Sequence, residues 1–355
     1  MDENTRNRAV RLFHRDEPAS VGLLDESRRE DDVRAAVLVE DCGVKTVLKL
    51  AANAFTTARR VEGWAELIRE TGRRGVYSPA LLPSLGGRLT ETLEADGVRY
   101  LVWEEEFAPF EIAMGRNEDE AAYRVRDDRR PRSADGVRAA WQEELILFYA
   151  EMGAARLRGG WGSSMYVRLE APEGEETDEV EECVLLFGKD LEERFPSLTE
   201  RWGEVRRRWE AVREALAALY PRLPTSVFQA DWNDSNVLLT EDGHFAGLID
   251  YNLAGEDTVL NMAVSMGNCG FASSGGDCAE RVRDTLRLFS SRYAWNGDEI
   301  AAAPLLWHYI NALFWAEVRD LAEARTPEEA AAVLARVEGS LGRSVSFADV
   351  MGRKD

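Results

Sequence analysis

Asp231, Asn236 and Asp250 each stand at the end of a short apolar run. Val227-Phe228 leads toward Asp231. Val237-Leu238-Leu239 follows Asn236, and Phe245-Ala246-Gly247-Leu248-Ile249 leads to Asp250. Glu241-Asp242-Gly243-His244 separates the last two runs, and an Asp-Gly pair between apolar runs is a strong hairpin signal. Such a hairpin brings Asn236, at its entry, beside Asp250, at its exit. Two oxygen donors meeting at a hairpin mouth, with a third carboxylate just upstream, suit a hard cation such as Mg²⁺ shared with phosphate oxygens. Each residue alone has an ordinary explanation as a turn or cap. The three together at this spacing favour the ion.

A second candidate lies near the start of the chain. Residues 33–40 and 44–50 are β-rich and are joined by Asp41-Cys42-Gly43. In the second run Lys45, Val47 and Lys49 share one face. Lys49 sits between Leu48 and Leu50, where a bare ammonium needs an anionic partner. An edge lysine reaching back to water is the alternative. Residues 54–71 have helical period, with Val61, Trp64, Ala65 and Ile68 on one side. Glu62 and Glu66 on that helix are candidates to pair with Lys49, and a solvated helix face is their alternative reading.

The elements that must position these groups change character along the chain. Residues 88–93 and 98–104 form another hairpin signal around Asp96-Gly97. Tyr100-Leu101-Val102-Trp103 runs into Glu104-Glu105-Glu106-Phe107-Ala108-Pro109, after which the composition turns helical. A boundary near 105–110 divides the chain into 1–106 and 107–355. Residues 5–14, 139–157, 191–220, 258–267, 278–293, 299–324 and 327–341 have helical periodicity. Segment 124–132 carries five arginines and reads as a solvated loop. Segment 170–182 carries eight acidic residues and no basic one, the pattern of a self-repelling loop.

Bulk properties narrow the function. The 355 residues allow two domains, or one with two lobes, and an apolar fraction of 45% supports a packed core. The formal charge of −21 argues against a nucleic-acid partner and is compatible with a cationic small molecule. The cysteines at 42, 183, 269 and 278 form no Cys-x-x-Cys, and the histidines at 14, 244 and 308 are isolated, so no zinc site is expected. No apolar run approaches a membrane span, and the polar start of the chain lacks a signal core. A cytoplasmic protein is expected.

The order is therefore a β-rich region with a buried lysine, a helix with glutamates, a connector, and then Asp, Asn and Asp. Phosphoryl transfer from ATP asks for this set, because its catalysis is positioning and charge neutralisation. Asp231-x-x-x-x-Asn236 followed by Ile249-Asp250-Tyr251 resembles the core of the aminoglycoside phosphotransferase and choline kinase-like family. That family's loop commonly reads His-Gly-Asp-x-x-x-x-Asn, then Ile-Asp-aromatic. Gly255-Glu256-Asp257 is similar to the segment that follows. Order and spacing are met over residues 30–320.

The resemblance implies an α+β, two-lobed protein-kinase-like fold, with a small β-rich N-terminal lobe and a larger, mainly helical C-terminal lobe. It implies ATP and Mg²⁺ as cofactors and the hydroxyl of a small molecule as acceptor, an amine-bearing one in keeping with the acidic surface. Position by position, Asp231 would be the catalytic aspartate, and Asn236 and Asp250 the metal ligands. Lys49 would contact phosphates with Glu62 as its partner, preferred to Glu66 because it lies nearer the helix start. Glu105 and Phe107, in the 104–107 connector, would offer backbone groups to adenine. Gln229 and Ala230 stand where the family usually has His and Gly. Glutamine still donates and accepts hydrogen bonds, so a bracing role survives. Segment 23–32 has no glycine, which makes Ser27 or Arg28 the candidate donors over the phosphates. These departures leave open a weakly active nucleotide-binding regulator of the same fold. A protein kinase is the weaker reading, since no Asp-Phe-Gly or Ala-Pro-Glu frames an activation loop.

Overall fold

The computed structural model describes residues 1–29, 32–113, 140–268 and 278–352. The arginine-rich segment 124–132, together with Glu30 and Asp31, lies outside the described residues. The strands are β1 (Ser20–Arg29), β2 (Asp32–Asp41), β3 (Val44–Ala52), β4 (Leu81–Leu82), β5 (Glu91–Ala95), β6 (Val98–Glu106), β7 (Glu111–Ile112), β8 (Thr225–Phe228), β9 (Val237–Leu239), β10 (Phe245–Leu248) and β11 (Gly255–Thr258). The helices are α1 (Glu3–Val10), α2 (Ala58–Arg73), α3 (Ala140–Ala155), α4 (Glu179–Arg194), α5 (Thr199–Leu219), α6 (Val259–Asn268), α7 (Cys278–Phe289), α8 (Gly297–Asn311), α9 (Trp315–Glu323), α10 (Pro327–Gly342) and α11 (Ala348–Met351). The described residues divide into two compact units. One is drawn from Met1–Asn117, Gly159–Gly162 and Gln229–Gly255, the other from Glu118–Arg158, Ser163–Phe228 and Glu256–Asp355.

In the first unit two tight turns set the sheet. Cys42 and Gly43 have φ of 50° and 80°, and Asp96 and Gly97 have 52° and 76°. Two successive positive φ angles are the turn that matches strand twist, so β2–β3 and β5–β6 close as two-residue hairpins. The antiparallel sheet runs β1-β2-β3-β6-β4, with β5 also on β6. Strand alternation then sorts its faces. Val37, Val39, Leu48, Leu50 and Val102 form one core cluster with Ala9, Val10 and Phe13 at the α1 end of the chain. On that side Glu104 accepts from Thr46 Oγ1 at 2.6 Å and meets His14 Nε2 at 2.7 Å. The opposite face carries Lys49, Trp103 and Glu105, and Trp64 of α2 meets Trp103 edge-on, ring centroids 5.6 Å apart.

Helix α2 is anchored along its length. A Cβ on Gly63 would overlap the Trp161 ring, so that indole lies directly on the helix backbone. Arg59 donates to the Gly160 carbonyl. Arg60, fully buried, donates to the Ala254 carbonyl at 2.7 Å and stands over the Trp161 ring.

A smaller sheet, β10-β9-β7, completes this unit. Tyr77 N–H donates to Ala246 O at 2.9 Å and Leu248 N–H to Tyr77 O at 3.0 Å, which fastens β10 to the segment after α2. Gly247 permits this contact, because any Cβ there would collide with the Tyr77 carbonyl.

The second unit is mainly helical, with β8 paired to β11. Residues 259–267 of α6 are buried on every side. The single helix expected over 191–220 is two. Pro196 bars the helical conformation at Phe195, whose φ and ψ are −131° and 62°. The 299–324 helix likewise splits before Phe314, which is extended. The acidic segment 170–182 is a loop only to Asp178. There Asp178 caps α4, accepting from Val180 and Glu181 N–H, and Glu179, Glu181 and Glu182 fill the first turn, where the helix dipole favours anions. No helix of the described residues is long and apolar enough to cross a membrane.

Gly247→Ala should break the Tyr77 bridge and lower unfolding free energy by about 2 kcal/mol or more. Urea denaturation measures it, and an unchanged midpoint would show that the segment after α2 does not hold β10.

Candidate active site

The β9–β10 hairpin pairs Val237 with Leu248. One step further out, Ile249 N–H donates to Asn236 O at 2.9 Å. Asn236 and Asp250 thus meet at the hairpin mouth. Asn236 is nearly buried, and its Nδ2 donates to the Asp231 carbonyl at 3.0 Å. With the amide nitrogen spent there, Oδ1 is the atom it has for a cation. Asn233 Nδ2 donates to Asp231 Oδ1 and so restrains the rotation of that carboxylate.

Gln229 ties the two halves together. Its Nε2 shares two N–H donors among the carbonyls of Asp231, Ile249 and Asp250, at 3.0, 2.9 and 2.7 Å. Its Oε1 accepts from Asp231 N–H at 2.9 Å. The side chain is 3% exposed, so these bonds replace water that the backbone there cannot reach. Ala230 has φ of 70° and Asp250 φ of 58°, both left-handed and each costing about 1 kcal/mol or more for a residue with a Cβ. At 230 a glycine would take that conformation without the strain. Around Asp250 the strained turn is held on both sides: by Gln229, and by Tyr251, whose hydroxyl meets Ser78 Oγ at 2.6 Å.

Lys49 Nζ lies 3.0 Å from Glu105 Oε1 and 3.2 Å from Asp250 Oδ1. Burial alone would lower its pKa, but the two carboxylates outweigh burial and hold it above that of an ordinary lysine. Lys49 is thus an ammonium whose charge is locked in place.

Two expectations for the nucleotide side need correction. Glu62 is exposed, as is Glu66, and Lys49 is met by Glu105 and Asp250 instead. Helical period puts Arg60, Val61, Trp64 and Ile68 on the buried side of α2, which leaves Glu62 and Glu66 on the outer side. The backbone of Glu105 is paired with Val47 on one edge and Leu81 on the other. Glu106 N–H donates to Ala80 O and Phe107 N–H to Lys45 O. Glu105 places its carboxylate against Lys49, and the Phe107 N–H is committed to the sheet edge. What the sequence reading missed was strand register. Trp103 stands opposite Lys49, so Glu105 is its diagonal neighbour on the same face.

Residues 23–29 lie in β1 and Asp32 opens β2, with Ser27 opposite Arg34. Asp32, whose charge would oppose phosphate, accepts from Arg34 Nε at 2.9 Å and Asn53 Nδ2 at 2.8 Å. Lys49, Glu105, Gln229, Asp231, Asn236 and Asp250 all belong to the first unit.

The model of the phosphotransferase enzyme family matches residues 26–261. The chain belongs to this family. No curated protein matches it. Among solved structures it is similar to an amicoumacin kinase in complex with AMP-PNP, Ca²⁺ and Ami, at 13% identity and TM-score 0.56, covering 99% of this chain and 97% of that one. It is also similar to a microcompartment-associated aminopropanol kinase, at 15% identity and TM-score 0.52, covering 96% and 95%. A spectinomycin phosphotransferase in complex with ADP and spectinomycin aligns at 8% identity and TM-score 0.51, covering 99% and 98%. At these identities the likeness is one of fold, the two-part kinase-like α+β architecture. This phosphotransferase keeps its family's Asp-x-x-x-x-Asn and Ile-Asp-aromatic segments and braces them with glutamine.

Gln229→Leu should remove the partner of the buried Asp231 N–H and of the Ile249 and Asp250 carbonyls, while Asn236 keeps its bond to the Asp231 carbonyl, destabilising the phosphotransferase by about 2–4 kcal/mol. Gln229→His, which keeps a donor, should lose less. At 230, valine should cost about 2 kcal/mol or more, because a β-branched residue resists positive φ, whereas glycine should stay within about 1 kcal/mol of the parent. Denaturant midpoints of the four variants check both rankings, and a better-tolerated valine would contradict the strain at Ala230.

Proposed function

We propose that the protein is an ATP- and Mg²⁺-dependent small-molecule kinase that transfers the γ-phosphoryl group to a hydroxyl of an amine-bearing acceptor. The observation that carries the reading is convergence within one unit. A charged Lys49 sits against Asp250, Asp250 meets Asn236 at the hairpin mouth, Gln229 joins Asp250 to Asp231, and Asn236 itself donates to the Asp231 carbonyl. Lys49 would hold the α- and β-phosphates. Asn236 Oδ1 and the Asp250 carboxylate would hold Mg²⁺. These hard oxygen donors suit that ion, which otherwise keeps water and phosphate oxygens around it. Bound Mg²⁺ supplies charge neutralisation at the phosphoryl oxygens.

Asp231, its carboxylate restrained by Asn233, would orient the acceptor hydroxyl and take its proton as the new P–O bond forms. The bonding of Gln229 favours turnover over a regulatory role, since the glutamine braces both the Asp231 and the Asp250 segments. A formal charge of −21 favours a cationic acceptor over an anionic one. Aminopropanol, after which one of the similar kinases is named, exemplifies such an acceptor.

ADP release assayed over a panel of amino alcohols and their neutral isosteres tests the acceptor. The cationic members should turn over faster, and equal rates would sink that part of the reading. The absence of any thermal shift with ATP and Mg²⁺ would sink the kinase assignment itself. Asp231→Asn should lower kcat by about 10²–10⁴ with nucleotide affinity close to the parent's. Asp250→Ala should instead weaken nucleotide binding by about tenfold or more. Unimpaired turnover in Asp231→Asn would refute its role.

A further inference from the structure

Lys49 and Glu105 are neighbours on one face of one sheet. Lys49 stands opposite Trp103 and Val47 opposite Glu105, which makes Glu105 the diagonal partner of Lys49. The two charged atoms are 3.0 Å apart, and the side chains are only 13% and 12% exposed. Strand β6 is paired on both edges at Glu105, so the carboxylate rests on a rigid element.

The helix that could carry a competing carboxylate is turned away. Trp64 of α2 occupies the position facing Trp103. Glu62 is two residues earlier, about 200° around the helix. The helix cannot readily roll to bring it in. Trp161 lies on Gly63, and Arg59 and Arg60 hold the Gly160 and Ala254 carbonyls.

We propose that Glu105 is the positioning carboxylate of Lys49, aiming its ammonium at the phosphates of a bound nucleotide in place of a glutamate from α2. The proposal rests on the nucleotide-dependent reading above. Because both partners belong to the sheet, the pair is set by strand register and needs no movement of α2.

The full chain is titrated with AMP-PNP plus Mg²⁺ and, separately, with adenosine, which lacks the phosphates. Glu105→Gln should weaken AMP-PNP binding by about tenfold or more and leave adenosine binding at the parent's level. Glu105→Asp should recover part of the loss. If Glu105→Gln does not fold, as judged by its thermal melt, Glu105→Asp carries the same comparison. In a Lys49→Met background Glu105→Gln should add less than about twofold, the coupling expected when one residue acts through the other. Glu62→Gln should bind AMP-PNP as the parent does. Parallel loss of adenosine binding, additive effects of Glu105→Gln and Lys49→Met, or a loss in Glu62→Gln matching that of Glu105→Gln would each overturn the proposal. A parent chain that binds neither ligand would overturn the nucleotide reading and this proposal with it.

Discussion

An ammonium inside an apolar sheet is unstable unless carboxylates meet it, and in this chain they come from two places. Glu105 reaches Lys49 from the neighbouring strand, and Asp250 reaches it from the far end of a hairpin about two hundred residues later in sequence. The first contact is internal to the sheet. The second joins the sheet to the β9–β10 hairpin, so the geometry of every other site residue is referred to the position of Lys49. Removing either carboxylate would leave a charge with one partner where burial requires more.

The hairpin end is built to tolerate strain. Ala230 and Asp250 both adopt left-handed backbone, and each is clamped by neighbours that repay the cost in hydrogen bonds. Gln229 supplies most of them, reaching three carbonyls and one N–H from a single buried amide. Arg60 and Tyr251 hold the chain just beyond Asp250, through the Ala254 carbonyl and Ser78. The strained residues therefore lie at the centre of a satisfied polar network and not at its margin.

Helix α2 has a different part from the one its glutamates suggest. Its inner side is Arg60, Val61, Trp64 and Ile68, and its contacts are with Trp103, Trp161 and the Ala254 carbonyl. It acts as a fixed support behind the Lys49 face. The charged side chains that look functional in the sequence, Glu62 and Glu66, are the ones left in solvent. Burial of the lysine's partner is decided by which carboxylate shares its sheet face.

The sequence alone determined the local devices: the Asp-Gly and Cys-Gly turns, the apolar alternation of the strands, the hairpin that brings Asn236 to Asp250, and a lysine in need of an anion. These follow from short-range sterics and periodicity, which a few adjacent residues carry. Pro196 breaks α4 from α5 inside the 191–220 period, which is strong enough on both sides to mask the break. Only the tertiary structure decided that Glu105 rather than Glu62 meets Lys49, that Gln229 spans both halves of the site, and that Gly247 must lack a side chain. Each depends on the register between strands, or on an approach between segments distant in sequence. No local pattern encodes those, because they are selected by how the whole set of faces packs.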